Sequence, residues 1–285
     1  MQILFIGVLT GLIIAILALA LTVVHLPTRV FHVSLGGIYT LVPFVAAWAL
    51  SYGLGWYLAI PFAIVVGTCV SLLCEYLNHA PLERAGASSG AQLVSSLGIY
   101  IVLTQAVSLL WGDEPRMLGA TQPSAASFWI FSYTRSQLLI LIVGILLLSL
   151  FYWWLHRSQL GICFRAMADN PVEVGLRGHS LKRLRLLAFG ISGVLTSAVS
   201  LLVAYDIGFD PHGGLAALLL AVVASVIGGR SSFFGPLLGG LLLGLVRTEV
   251  VSLASARWQE AVTFVVLGFF LYARPYGLLG RDLQT

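Results

Sequence analysis

Apolar residues run along this chain in long blocks rather than in alternation, with short polar stretches between them. The blocks fall near 3–24, 34–53, 56–77, 90–111, 136–155, 185–205, 215–228, 233–249 and 258–273. Most approach the roughly 20 residues a helix needs to cross a bilayer core. Lipid offers the backbone no hydrogen-bond partner, so each block is predicted to be helical. The block 215–228 is too short to cross at about 1.5 Å per residue and reads as a half-helix. The first block has no basic leader or clear cleavage site and reads as a retained helix. The expected fold is an all-α polytopic membrane domain over residues 1–285, with about eight or nine transmembrane segments.

Three features break the plain pattern. Gly, Pro and polar residues interrupt the apolar blocks in "HLPTRVFHVSLGGIYTLVP", residues 25–43, and in "DIGFDPHGGLAALLLA", residues 206–221. Each stretch holds a His, then a Gly-Gly pair, then an apolar helix: His32 with Gly36 and Gly37, His212 with Gly213 and Gly214. Interrupted helices in two halves of a chain point to a transport pathway near the bilayer midplane, where a helix start offers N–H groups to an anionic or amide group. The alternative is that Gly-Gly only marks a helix start in a loop. The second feature is the loop 156–185, where Asn170 and Pro171 form a helix start. A short helix from Pro171 is expected to close at Gly178. The third is the pairs Gly235/Gly239 and Gly240/Gly244, whose spacing lets helix backbones approach closely.

Composition agrees with a membrane protein. Of the 285 residues 59% are hydrophobic and 9% charged, against roughly a quarter charged in a soluble domain. The net charge of +4 does not indicate nucleic acid, because the basic residues lie mostly between apolar runs without interleaved aromatics. Six of the fifteen fall between Arg157 and Arg185. With that loop inside, Arg29, Arg84, Arg230, Arg274 and Arg281 also fall inside, while Arg116, Arg135, Arg247 and Arg257 fall outside. The positive-inside rule then places the N-terminus outside and the C-terminus in the cytoplasm, with residues 25–33 the least regular part of that topology.

Catalytic chemistry is not evident. "GASSG", Gly86 to Gly90, has the letters of a nucleophile elbow but opens a membrane helix instead of following a strand. The six histidines show no zinc-ligand spacing, Cys69, Cys74 and Cys163 show no metal or disulfide spacing, and no metal or cofactor is expected in this chain. His79 and His156 read as interfacial residues and His25 as a helix-end residue. Lys182 is the single lysine and is followed by Arg183, so no phosphate-binding loop exists and any ATP must bind another subunit. Glu75 and Glu260 read as lying near helix ends, and no buried mid-span carboxylate of an ion-coupled carrier stands out. The short helix after Asn170 suits docking into a groove on a partner, the alternative being a solvated basic loop that only fixes topology.

Five stretches in order resemble the permeases of the branched-chain amino acid and urea family of bacterial ABC importers. "FHVSLGGIYTLVPFVAAW" resembles that family's N-F-A-H-G-x-x-Y pattern, and "APLERAGASSGAQLVSSLGIY" its P-L-R segment. "RSQLGICFRAMADNPVEVGLRGHSLKRLRL" resembles its cytoplasmic loop, "VIGGRSSFFGPLLGGLLLGL" its V-x-G-G-x-G-S-x-x-G-P stretch, and "RPYGLLGR" its ending. The resemblance implies a permease in the bacterial inner membrane, paired with itself or a sister permease. Two cytoplasmic ATPases and a periplasmic or extracellular substrate-binding protein would complete it. It implies an ATPase-coupling helix drawn from Arg165, Met167, Asn170, Pro171, Glu173, Leu176, Arg177 and Gly178. It also implies a pathway lined by His32, Ser34, Gly36, Gly37 and Tyr39 from one interruption and Asp210, His212, Gly213 and Gly214 from the other. The chain departs from the family at His32, Leu35 and Gly37, and at Val172, Glu173 and Val174. Branched-chain amino acids are the leading cargo, with urea, short amides or small carboxylates as alternatives. An ion-coupled carrier or channel is the reading from a different class.

Overall fold

The computed structural model describes residues 2–118, 126–128, 131–229, 231–274 and 276–279. Arg230 and Arg281, both used in the arginine count, lie outside the described residues. The helices are α1 (Gln2–Thr28), α2 (Leu35–Ser51), α3 (Trp56–Cys74), α4 (Ala80–Arg84), α5 (Ser89–Trp111) and α6 (Arg135–Arg157). After them come α7 (Gln159–Asp169), α8 (Pro171–Leu176), α9 (Leu181–Asp206), α10 (Gly213–Gly228), α11 (Gly235–Leu253) and α12 (Gln259–Ala273). A π-helical turn, Glu75–His79, joins α3 to α4 so that one helical rod runs from Trp56 to Arg84. Six of these helical stretches are long and apolar enough to cross a membrane, while α2 and α10 are shorter apolar helices. The chain is a multi-pass membrane protein.

Each predicted block is a helix, with ends shifted by a few residues. Outside the predicted elements the structure adds α4, α7, a 3-10 turn at Ala256–Trp258, and a small hairpin pairing Ala126–Phe128 with Phe131–Tyr133. Local caps set several boundaries. Thr134 and Gln137 bond reciprocally at the start of α6, and the Ser88 hydroxyl accepts from the Ala91 N–H at the start of α5. The serine of "GASSG" is therefore a helix cap.

Helix α1 is the centre of the bundle, with every residue from Ile14 to Val24 buried and α11, α9, α10 and α6 packed around it. Lipid tails are as apolar as leucine, so association of such helices rests on close van der Waals packing. The two glycine pairs of α11 supply it on two faces. A methyl group added at Gly240 would meet the backbone of Ala15, and one at Gly244 the backbone of Gly11, both on α1. Added methyl groups at Gly239 and Gly235 would meet the backbones of Ala224 and Gly228 on α10.

Candidate functional site

Helix α2 begins inside the bundle, and α10 begins against it with Gly214 buried while His212, Leu215 and Ala216 are exposed. Phe209, five residues before Gly214, packs on Phe44 with ring centroids 4.8 Å apart. Phe44 lies eight residues beyond Gly36 on α2, about 12 Å at helical rise. The chain therefore descends from Phe209 to Gly214 by roughly that distance. From the end that carries α7 and α8, the segment after α1 climbs in the opposite sense. Arg29 ends α1 in the left-handed region (φ 59°), and by His32 the chain touches Phe189, eight residues into α9.

The two helix starts meet head to head. A methyl group on Gly36 would stand 3.0 Å from the Gly214 carbonyl oxygen, and one on Gly214 would collide with the Gly36 carbonyl oxygen and the Thr40 hydroxyl. Only glycine permits this contact, because any Cβ would force the backbones apart. Tyr100 of α5 borders Gly36, and Leu103 covers Gly37. Thr40 lies one turn beyond Gly36, and Thr104 one turn beyond Tyr100. Both hydroxyls are buried without a hydrogen-bond partner among the described residues, as are those of Ser192, Thr196 and Ser197 on α9.

The remaining predicted pathway residues divide between two places. His32 is fully buried. Its Nδ1 lies 3.0 Å from Ser34 Oγ and its Nε2 3.5 Å from Ser71 Oγ. The Ser71 hydroxyl donates to the Phe189 carbonyl at 2.7 Å, and the Ser34 N–H donates to Ser96 Oγ at 3.0 Å. His32 and Ser34 thus belong to a polar plug joining α3, α5 and α9 below the glycine contact. At the other end His212 is exposed and faces Asp113 at 3.5 Å. Asp210 accepts the His212 N–H at 2.8 Å and serves the turn before α10. The structure does not bring the two histidines together. Tyr39 is half-buried on α2, and Gly213 opens α10.

Two features were not readable in advance. His79, expected at an interface, is fully buried, with its ring 5.7 Å from that of His32. Glu75 is also buried, and Arg185 of α9 grips it through Nε–Oε1 at 2.6 Å and Nη2–Oε2 at 3.3 Å while reaching Glu83 as well. These partners are 110 residues apart, so no local signal pairs them.

The loop 156–185 folds as two helices. Asn170 Oδ1 accepts the N–H groups of Val172 (3.1 Å) and Glu173 (3.4 Å), and Pro171 opens α8. Gly178 follows with φ 84°, a left-handed stop that favours glycine. Met167 and Val174 are buried against Leu184, so they anchor the segment to the bundle. Val172 and Leu176 are exposed, Leu176 by 83%, beside exposed Glu173 and Arg177. Arg165 lines a separate cleft with Leu26, His156 and Asp169.

A family model described as "Branched-chain amino acid transport system / permease component" matches residues 3–271. The probable branched-chain amino acid transport permease protein LivH of Methanocaldococcus jannaschii is 27% identical over 281 residues, covering 94% of this chain and 89% of that protein. The high-affinity branched-chain amino acid transport system permease protein LivH of Escherichia coli K12 is 27% identical, covering 99% and 96%. The autoinducer 2 import system permease protein LsrC of Yersinia pseudotuberculosis is 27% identical over 90% of this chain and 72% of its own length. In fold the chain is similar to PsaBC from Streptococcus pneumoniae in complex with Fab, with a TM-score of 0.58 at 12% identity, covering 97% of this chain and 93% of that one. The chain belongs to the family of branched-chain amino acid transport system permease components, which are transport proteins and not enzymes.

Proposed function

We propose that the chain forms the translocation pathway of an ABC importer for branched-chain amino acids. It works beside a second permease copy or sister, two cytoplasmic ATPases that bind the ATP, and an external substrate-binding protein. The reading takes nine crossings, N-terminus outside and C-terminus in the cytoplasm, with α2 and α10 as half-length elements. The observation that carries it is the head-to-head meeting of α2 and α10 at Gly36 and Gly214. Two helix starts bring their positive dipole ends to one place, which suits the carboxylate of an amino acid. The buried hydroxyls of Thr40 and Thr104 add polar partners.

In the conformation described, the glycine backbones touch and the plug around His32 lies between them and the α7–α8 end, so the pathway is closed there. Opening requires α2 and α10 to part. The drive would come through α8, whose exposed Val172 and Leu176 fit a groove on an ATPase while buried Val174 transmits its movement to α9. Uptake of labelled leucine into proteoliposomes holding the complete importer tests the reading. Thr40→Val with Thr104→Val keeps the packing volume and removes both hydroxyls. The expected result is a lowered uptake rate with ATPase subunits still bound. Undiminished uptake by the double variant would overturn the pathway assignment.

A further inference from the structure

An apolar groove of about 800 Å³ lies between α6 and α9, floored by Thr68 and Leu72 of α3. That volume lies within the roughly 300–1,000 Å³ of small-molecule sites, yet this groove is open along the side of the bundle and lined almost wholly by carbon. Arg183, in the first turn of α9, is the charged residue of its lining. Arg183 is exposed, and its guanidinium has no ion pair or hydrogen bond among the described residues. Arg185, two residues on, is consumed by Glu75 and Glu83. At the same end the lining includes Trp153, 64% exposed and one turn before the end of α6. Lys182 and Arg157 are exposed nearby. Tryptophan collects at the headgroup level of a bilayer, so the charge and the indole mark one interface while the carbon wall extends toward the bilayer interior.

We infer that this groove binds one acidic glycerophospholipid, its phosphate at Arg183 and an acyl chain along Leu72, Gly190 and Val194. Charge complementarity selects the occupant: carbon along the spanning stretch and an unpaired cation at the interface match such a lipid from end to end. Basic pockets between membrane helices hold anionic headgroups in this manner. Gly190 keeps the floor open, since a methyl group there would meet only Leu72, at 3.8 Å. The inference needs the chain only to lie in a bilayer and holds whatever the cargo is.

The test is native mass spectrometry of the delipidated importer complex, titrated with phosphatidylglycerol or phosphatidylcholine. The wild type is expected to retain one phosphatidylglycerol per permease and to bind phosphatidylcholine more weakly. Arg183→Ala should weaken phosphatidylglycerol about fivefold, the share of one basic side chain at a membrane surface, and weaken phosphatidylcholine, whose choline already offsets its phosphate charge, by less. Arg183→Lys should restore the preference. Gly190→Leu, which fills the floor and leaves the charge, should remove both lipids. Equal binding of the two lipids by the wild type, or an Arg183→Ala variant that keeps its preference, would overturn the site. So would cysteines at Trp153 and Val194 that cross-link two permease copies across a lipid-free groove, because the occupant would then be a second chain.

Discussion

The contact between Glu75 and Arg185 lends itself to a quantitative test. The pair is deep: the side chains are 4% and 10% exposed, and the guanidinium meets the carboxylate through two bonds. Replacing Arg185 with Met keeps the bulk of the side chain and leaves the Glu75 charge buried without a partner. Breaking a buried pair in this way costs about 3–5 kcal/mol. Glu83, with a side chain 52% exposed, stays near water, so Glu83→Gln is expected to cost about 1 kcal/mol or less. Neutralising both partners together, Glu75→Gln with Arg185→Met, removes the stranded charge and should recover most of the loss. The assay is unfolding in mixed micelles with rising dodecyl sulfate, followed through the fluorescence of the chain's seven tryptophans. A loss under about 1 kcal/mol for Arg185→Met, or a double variant that loses the sum of the two single losses, would mean that no buried charge is stranded.

Three further outcomes follow from other contacts. Gly214→Val drives branched carbons into the Gly36 carbonyl; it is expected to abolish a monodisperse peak on size exclusion, whereas Gly98→Val, where nothing crowds the added carbon, keeps one. Asn170→Ala removes the cap of α8 and should cost that helix about 0.5–2 kcal/mol, read as faster amide exchange at residues 172–176 with α9 unchanged. Leu176→Asp and Gly178→Pro should separate ATP hydrolysis from uptake without preventing membrane insertion. Leu176 is 83% exposed, and proline cannot adopt the φ of 84° that Gly178 holds. Normal substrate-stimulated hydrolysis in both would remove α8 from the coupling role.

What the chain alone determined was local. A run of apolar residues long enough for a bilayer forms a helix whatever its neighbours do, because lipid leaves the backbone no other way to bond. Asn170, Pro171 and Gly178 announced α8 as local cap and stop residues, and the glycine spacing of α11 announced close backbone contacts. α7 went unread because its apolar residues sit inside a charged loop, although Gly161, Phe164, Met167 and Ala168, which the structure buries, recur at helical spacing. The tertiary structure alone decided which side of each helix faces protein. A helix that is apolar all round gives no such signal, since lipid and a neighbouring helix are equally apolar surroundings. Hence α1 looked like any other span and is the centre, His79 looked interfacial and is buried, and His212 looked like a counterpart of His32 and lies at the surface. Glu75 and Arg185 met only when α3 and α9 packed side by side, and Gly36 met Gly214 only when two distant chain interruptions turned inward from opposite ends. Pairs so far apart in sequence are fixed by how the helices fit together, and that fit is a property of the whole bundle.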